Sequence, residues 1–501
     1  MFRAFLVVLV VLAGACGAAP AAQPAPTGSH WWETASVPPQ SLAGADATAP
    51  QVATVVAPSL VTPYRETAAR ILDAAVRDRG AYDKLRQLTD QIGARLSGSP
   101  QLDQAIAWAV KTLTADGHPV HTEKVMVPHW DRGFEAAQIV APIKRDLVIL
   151  GLGNTIATPR GGVTAPLVVV HSVAELDEKK DRVKGAIVLF DAALPAWSEE
   201  KGSGYGDLGT LRRIGPAEAA KRGAVGVLFR SITARSLRTP HTGATDAKPA
   251  GANAPAAAVT IEDAALLARL AEQGPVTVKL VLSGRMLPDA PSANVIAELR
   301  GREKPDEIVL LGAHLDSWDV GQGAHDDGAG VVQVMQALTT LKKLGAVPRR
   351  TIRVVLYTNE ENGLRGGLGY FEAHQAEASK HVLAVETDSG GFAPRGFGVE
   401  ATDPAMAERL RSRLADVVEL LEPIGATQIQ VGHSGADISP LVKAGVAGAG
   451  LWTVDRNYFD YHHTPADTLD KVDPAELAAD VAALAVLAYV VADLPGRIDQ
   501  P

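Results

Sequence analysis

Ile308-Val309-Leu310-Leu311-Gly312-Ala313-His314-Leu315-Asp316 is the stretch that decides the fold. Four consecutive branched apolar residues read as a strand buried on both faces, the pattern of a parallel sheet. The strand runs straight into a histidine and an aspartate. The next segments repeat that arrangement. Val331, Val334, Met335, Leu338 and Leu341 share one face at helical spacing, and Gly345 closes the helix. Ile352–Leu356 is a second apolar strand, leading to Glu360-Glu361. Val382–Val385 is a third, leading to Asp388. A last helix opens at Asp473-Pro474-Ala475-Glu476, which fits a capping box, and continues to about Leu494. Strands alternating with helices imply an α/β sheet covered by helices. Open sheets of that class bind ligands just past their strand ends, and the polar residues of this chain fall there.

Five short segments carry those residues: His314-Leu315-Asp316, Asp326-Asp327-Gly328, Glu360-Glu361, Glu386-Thr387-Asp388 and His462-His463-Thr464. Zinc takes histidine nitrogen and carboxylate oxygen, and a catalytic zinc keeps one position open for water or substrate. Two neighbouring zincs also need a bridging carboxylate. His314 is a candidate ligand, and Asp316, two residues on, is placed to hold its other ring nitrogen. One of Asp326 and Asp327 can bridge two metals while the other supports it. One of Glu360 and Glu361 can ligate while the other addresses a water and shuttles its proton. Each segment alone reads as a charged surface loop, or, for the aspartate pair, as an acidic turn before a helix. Jointly they supply the complement of a two-metal site.

Upstream, Ser99-Pro100 reads as a helix start, with serine as the cap and proline in the first turn. Leu102, Ile106, Ala109, Val110 and Leu113 follow at helical spacing, ending at Gly117. The character changes over residues 136–284. Leu167–Val170, Ala186–Phe190, Val225–Phe229 and Val276–Leu282 read as short strands, Pro216–Arg222 and Glu262–Glu272 as helices, and Gly202–Gly209 and Thr239–Ala256 as loops. This stretch carries no ligand cluster and reads as an insert. It divides a metal-bearing domain into residues 64–135 and 285–495.

The chain has 501 residues, 47% hydrophobic and 21% charged, enough to bury a large core in two domains. With 48 basic and 57 acidic residues the formal charge is −9, and no basic run is interleaved with aromatics, which argues against a nucleic-acid surface. Residues 1–16 read as an export signal. Arg3 supplies the positive start, and Phe5–Leu12 is an apolar run too short to span a membrane. Ala13, Gly14 and Ala15 then precede Cys16, the only cysteine. The pattern resembles a bacterial lipobox with alanine where leucine is usual. A lone exported cysteine without a disulfide partner favours Cys16 as a lipid anchor, with plain signal cleavage as the alternative. Residues 17–63, rich in Ala, Pro, Thr and Ser, read as a disordered linker. The expected location is exported: periplasmic, at the cell surface as a lipoprotein, or extracellular.

The run from His314 through Asp316, Trp318 and Gly321 to Asp326-Asp327-Gly328 resembles the co-catalytic zinc exopeptidases of the carboxypeptidase Q (plasma glutamate carboxypeptidase) type. So do Leu88-Thr89-Asp90, the segment Arg95–Ser99, Pro128-His129-Trp130, and Gly432-His433 with Asp437. The similarity runs from about Tyr64 to Leu494. It implies a mixed central sheet flanked by helices, with the insert as a protease-associated domain beside the cleft. It also implies two Zn²⁺ ions: Asp326 bridges, His314 and Asp388 complete one site, and Glu361 and His463 the other. Glu360 and Asp316 are the implied catalytic pair, Glu360 as general base and then acid, Asp316 supporting a ligand. His462 stands where some relatives place a tyrosine that polarises the scissile carbonyl. A cis peptide is implied between Asp326 and Asp327.

The expected activity is hydrolysis of a terminal bond in dipeptides or short peptides. The partners are a peptide substrate, a membrane through the lipid anchor alone, and, by resemblance, a second copy in a homodimer. Two alternatives stand beside it: a non-catalytic binding protein on the same fold, and a single-zinc cyclising acyltransferase. The intact ligand set favours two metals and hydrolysis.

Overall fold

The computed structural model describes residues 59–198, 202–235, 237–246, 253–432 and 434–500, all within the compact unit Pro58–Pro501. The signal, Cys16, most of the expected linker and His433 lie outside the described residues. The folded part begins slightly before Tyr64: Val61 is buried, and Thr62–Tyr64 forms a 3-10 turn. The Tyr64 hydroxyl donates to the Asp493 carbonyl at 2.8 Å, tying the first turn to the last helix.

One eight-stranded mixed sheet runs in the order Val120–Asp131, Arg285–Leu299, Arg350–Tyr357, Lys304–His314, His381–Glu386, Gly448–Thr453, Pro394–Glu400, Gln428–Val431. Its centre is parallel: Lys304–His314 pairs in parallel with Arg350–Tyr357 and with His381–Glu386, which pairs in parallel with Gly448–Thr453. The near-continuous apolar runs of these strands follow from burial on both faces. Helices Gly330–Lys343 and Pro474–Asp493 fill one face, and Arg365–His374 with Ser439–Lys443 covers the other. The helix Pro474–Asp493 is long and apolar enough to cross a membrane, yet 78% of its apolar window is buried in the core. Asp480, in its middle, accepts a hydrogen bond from Gln333 at 2.9 Å. Ser99 caps Pro100–Ala115 through the Leu102 N–H, and Asp473 caps the last helix through Ala475 and Glu476.

A second eight-stranded sheet is built from strands between Glu135 and Leu282, in the order Arg145–Leu147, Glu135–Ala141, Thr277–Leu282, Val163–Val170, Ile187–Phe190, Gly226–Arg230, Ala256–Val259, Ile149–Gly151. One expectation here is corrected. Most of the stretch read as a loop over Gly202–Gly209 belongs to a helix, Tyr205–Lys221, of which the expected Pro216–Arg222 covers only the last turns and the C-cap. Glycine and proline depress helix propensity, but packing overrides it: a Cβ on Gly215 would stand 3.1 Å from the Phe190 ring. Several contacts join the part of the chain that carries the second sheet to the part that carries the first, among them those of Arg132 and Gly153. Arg132 forms a two-pronged ion pair with Asp319 at 2.7 and 2.5 Å and also bonds the Gly151 carbonyl. Gly153 lies flat against Trp318, where a Cβ would come within 1.9 Å of the ring.

Candidate active site

His314 ends one parallel strand, Glu360 and Glu361 follow the next after a short turn, and Asp388 stands two residues past a third. The fold therefore brings four of the expected residues to one end of the sheet. His462 and His463 come from a loop near the C-terminus. Asp326 sits among them all. Its Oδ1 is 3.2 Å from His314 Nε2, and its Oδ2 is 3.2 Å from His463 Nε2 and 3.5 Å from His462 Nε2. His314 Nε2 is also 3.7 Å from Asp388 Oδ1, and His463 Nε2 is 3.2 Å from Glu361 Oε2. Within this cluster the buried atoms His314 Nε2, Asp326 Oδ2 and Glu361 Oε1 have no hydrogen-bond partner. Buried polar atoms are rarely left so. Converging imidazole nitrogen and carboxylate oxygen with spare lone pairs fits a metal ion, and ligand atoms of His314, Asp326 and Glu361 lie within 4.8 Å of one another.

The supports are equally specific. The peptide between Asp326 and Asp327 is cis. The Asp327 carboxylate turns away to accept the backbone N–H of His314 at 3.0 Å and of Gly330 at 3.1 Å. Asp467 accepts the N–H of His325 at 2.8 Å and of Asp326 at 3.2 Å. Tyr458 donates its hydroxyl to Asp388 at 3.4 Å. Arg95, fully buried, donates to the carbonyls of Leu315, Gln322 and Gly323 and so fixes the loop after His314. Asp316 departs from expectation. Its carboxylate is 3.8 Å from His314 Nδ1, which instead lies 3.1 Å from the Asp316 carbonyl. The carboxylate is occupied by the N–H groups of Glu360 and Glu361.

Electrostatics separate the acids. Burial raises the Asp326 pKa, but His314 and His463 outweigh it and hold this carboxyl well below its usual range. Burial lowers His314, but Asp326 and Asp388 hold it well above the usual imidazole value. Burial, then the charge of Asp326, pushes Glu361 up to about 7. Burial also raises Glu360 well above normal, with Asp388 and Glu361 adding to it against His314. His462 is depressed by burial and then by His463.

A cleft of about 650 Å³ opens over the cluster, lined by Asp326, Glu360, Glu361, Asp388, His462 and His463. Its other wall comes from segments that connect strands of the second sheet, through Tyr205, Arg212 and Ala244–Asp246. Sequence reasoning quoted Arg95 only within a family-like segment, without a role, and missed Tyr458, Asp467 and Arg212. Asp467 lies four residues past His463, close enough to have been noticed; no local signal marked the others.

The model for peptidase family M28 matches residues 294–488. Carboxypeptidase Q of Mus musculus is 39% identical over 439 residues, covering 87% of this chain and 91% of the mouse protein. The chain belongs to peptidase family M28. As an M28 member it is a metallo-exopeptidase, and its substrates are peptides. The M28 peptidase precursor from Shewanella amazonensis SB2B, known from a crystal structure, shares the fold with a TM-score of 0.81. It is 38% identical and covers 87% of this chain and 98% of its own. The probable lipoprotein aminopeptidase LpqL of Mycobacterium tuberculosis is 26% identical over 430 residues, covering 78% of this chain and 80% of LpqL.

Proposed function

We propose that this M28 peptidase is an exported, two-zinc exopeptidase that cleaves the terminal bond of dipeptides or short peptides. The observation that carries the reading is the placement of Asp326. Its two carboxylate oxygens face different histidines, His314 and His463, each at 3.2 Å, as a bridging ligand requires. His314 and Asp388 would complete one zinc site, and Glu361 and His463 the other. Bound zinc supplies polarisation of the scissile carbonyl and acidification of the attacking water. Glu360 takes a proton from that water as its oxygen joins the carbonyl carbon. It returns the proton to the amine nitrogen as the C–N bond breaks. The Asp316 carboxylate positions Glu360 through its backbone. His462, immediately before His463 and stacked on it with ring centres 3.5 Å apart, would address the carbonyl oxygen.

The names of the relatives divide between carboxypeptidase and aminopeptidase; for a dipeptide both describe one bond. The lipoprotein name of LpqL supports export with Cys16 as the lipid anchor. The insert, residues 136–284, is read as a protease-associated domain that shapes the cleft. The test is a dipeptide library assayed with and without chelator, with zinc counted by elemental analysis. Two zincs per chain and chelator-sensitive, zinc-restored hydrolysis are expected. One zinc with cyclising activity, or bound zinc with no turnover, would replace this reading with one of its alternatives.

A further inference from the structure

Asn154, Asn362 and Asn359 form an unbroken row of hydrogen-bonded carboxamides that ends at the residue before Glu360. Asn154 follows the strand Ile149–Gly151 of the second sheet, and the other two belong to the turn that carries Glu360 and Glu361. All three are buried. The Asn154 amide donates to the carbonyls of Thr245 and Asn362, each at 3.3 Å. Its oxygen accepts from the Asn362 amide at 3.3 Å. The Asn362 oxygen accepts from the Asn359 amide at 2.5 Å, and that amide also donates to the Ser97 hydroxyl at 2.9 Å. The Asn359 oxygen accepts the Arg365 N–H at 3.2 Å.

The direction of each amide is fixed. Backbone groups stand at both ends of the row, an N–H at Arg365 and carbonyls at Thr245 and Asn362. No member can turn over without setting like atoms against each other. A buried polar row satisfied in this way rigidifies what it touches. Asn154 and Asn359 are left-handed, at φ 63° and 65°, a region that asparagine enters more readily than most residues. Gly363 closes the far side, since a Cβ there would fall 2.3 Å from the Asn359 oxygen. The left-handed turn at Asn359 leads the backbone from the strand Arg350–Tyr357 to Asp316, which accepts the N–H groups of Glu360 and Glu361. Asp316 receives the two glutamates; the carboxamide row sets the turn on which they arrive. Asn362 lines the cleft and Asn154 does not, so an effect of Asn154 on the reaction has to pass through the row.

We propose that Asn154 is a positioning residue for Glu360, acting through Asn362 and Asn359, so that the part of the chain carrying the second sheet aims the proposed base. The assignment rests on the exopeptidase reading above. A base misplaced by a fraction of an ångström still lets substrate bind but transfers its proton poorly. Loss of the row should therefore be felt in turnover and not in substrate affinity.

The experiment measures alanyl-alanine hydrolysis by the zinc-loaded full chain beside amide hydrogen exchange over Thr358–Arg365. Asn154→Gly deletes the carboxamide and leaves the left-handed backbone at ease. Its kcat is expected to fall about 10- to 100-fold, with KM within about twofold of wild type. Exchange over Thr358–Arg365 should quicken about tenfold. Asn362→Ala breaks the same row one step later. The double variant should then be no slower than the slower single variant, within about twofold. If Asn154→Gly does not fold, Asn154→Asp keeps the size and deletes only the two donors, and the same fall in kcat is expected. Unchanged kcat in a variant that has merely lost stability would overturn the proposal, as would a loss carried by KM. Losses that multiply in the double variant would overturn it too, since independent sites behave that way. If wild type does not hydrolyse the dipeptide, the exopeptidase reading fails on that result alone. Hydrogen exchange then still decides whether Asn154 holds the Glu360 turn, and unchanged exchange would sink the relay.

Discussion

Asp316 Oδ1 accepts the backbone N–H of Glu360 at 3.0 Å, and its Oδ2 accepts that of Glu361 at 3.3 Å. One carboxylate thereby aims both the proposed base and a proposed ligand. Asp316→Asn would keep one acceptor and set an amide N–H₂ against the other N–H. Turnover is expected to fall roughly 10- to 100-fold, with zinc content near wild type. The check is kcat measured beside elemental zinc; full activity would show that the two bonds do not position Glu360.

Glu360→Gln removes the proton shuttle but keeps size and shape. The variant should hold its zinc and lose about 10²- to 10⁴-fold in kcat. Comparable activity would remove Glu360 from the mechanism.

Asp326→Ala deletes the one carboxylate between His314 and His463. Both proposed sites lose a ligand at once, so elemental analysis should show less than one zinc per chain. His463→Ala takes a ligand from only one, and about one zinc should remain. Equal zinc content in these variants would argue against a shared ligand.

His118 is buried and does not line the cleft; its Nε2 is 3.3 Å from the Thr339 hydroxyl, which itself donates to Asp116 at 2.8 Å. Burial, reinforced by Lys342, lowers its pKa from 6.5 to about 4. The folded protein thus holds this imidazole neutral where the unfolded chain would protonate it. Stability from this group is complete above pH 6.5 and is lost as the pH falls through about 4. The loss is on the order of 3 kcal/mol when complete. Denaturant unfolding at stepped pH should show a decline over that window that is shallower in His118→Asn.

The part of the chain that carries the candidate site was legible because its chemistry is tied to period. Runs such as Ile308–Leu311 and Val382–Val385 have few ways to be buried other than as central parallel strands, and the polar residues after them then converge at one sheet end. The division of labour at Asp326-Asp327 followed from reach: adjacent carboxylates diverge, and Asp327 bonds the backbone of His314 and Gly330. The acceptor on His314 Nδ1 was misread because the i, i+2 spacing brings both the carboxylate and the carbonyl of Asp316 close, and the carbonyl is nearer. The helix over Tyr205–Lys221 was half hidden by its glycines, since its stability comes from contacts with the insert core and not from local propensity. Arg212 was invisible for the same reason: its place depends on Thr242 and Gly243, some thirty residues away in the chain.

Thr242 and His463 hold each other twice. The Thr242 N–H donates to the His463 carbonyl at 3.0 Å, and His463 Nδ1 lies 3.3 Å from the Thr242 carbonyl. His463 adopts a left-handed φ of 62° at that contact, a conformation that a non-glycine residue keeps only when its surroundings impose it. The Thr242 loop is consequently a structural jaw of the proposed metal cluster, and its grip and the ion affinity proposed for that cluster would be thermodynamically linked. On the proposed two-zinc reading, whatever loosens the Thr242 loop would release a cation bound at His463, and whatever chelates that cation would loosen the jaw.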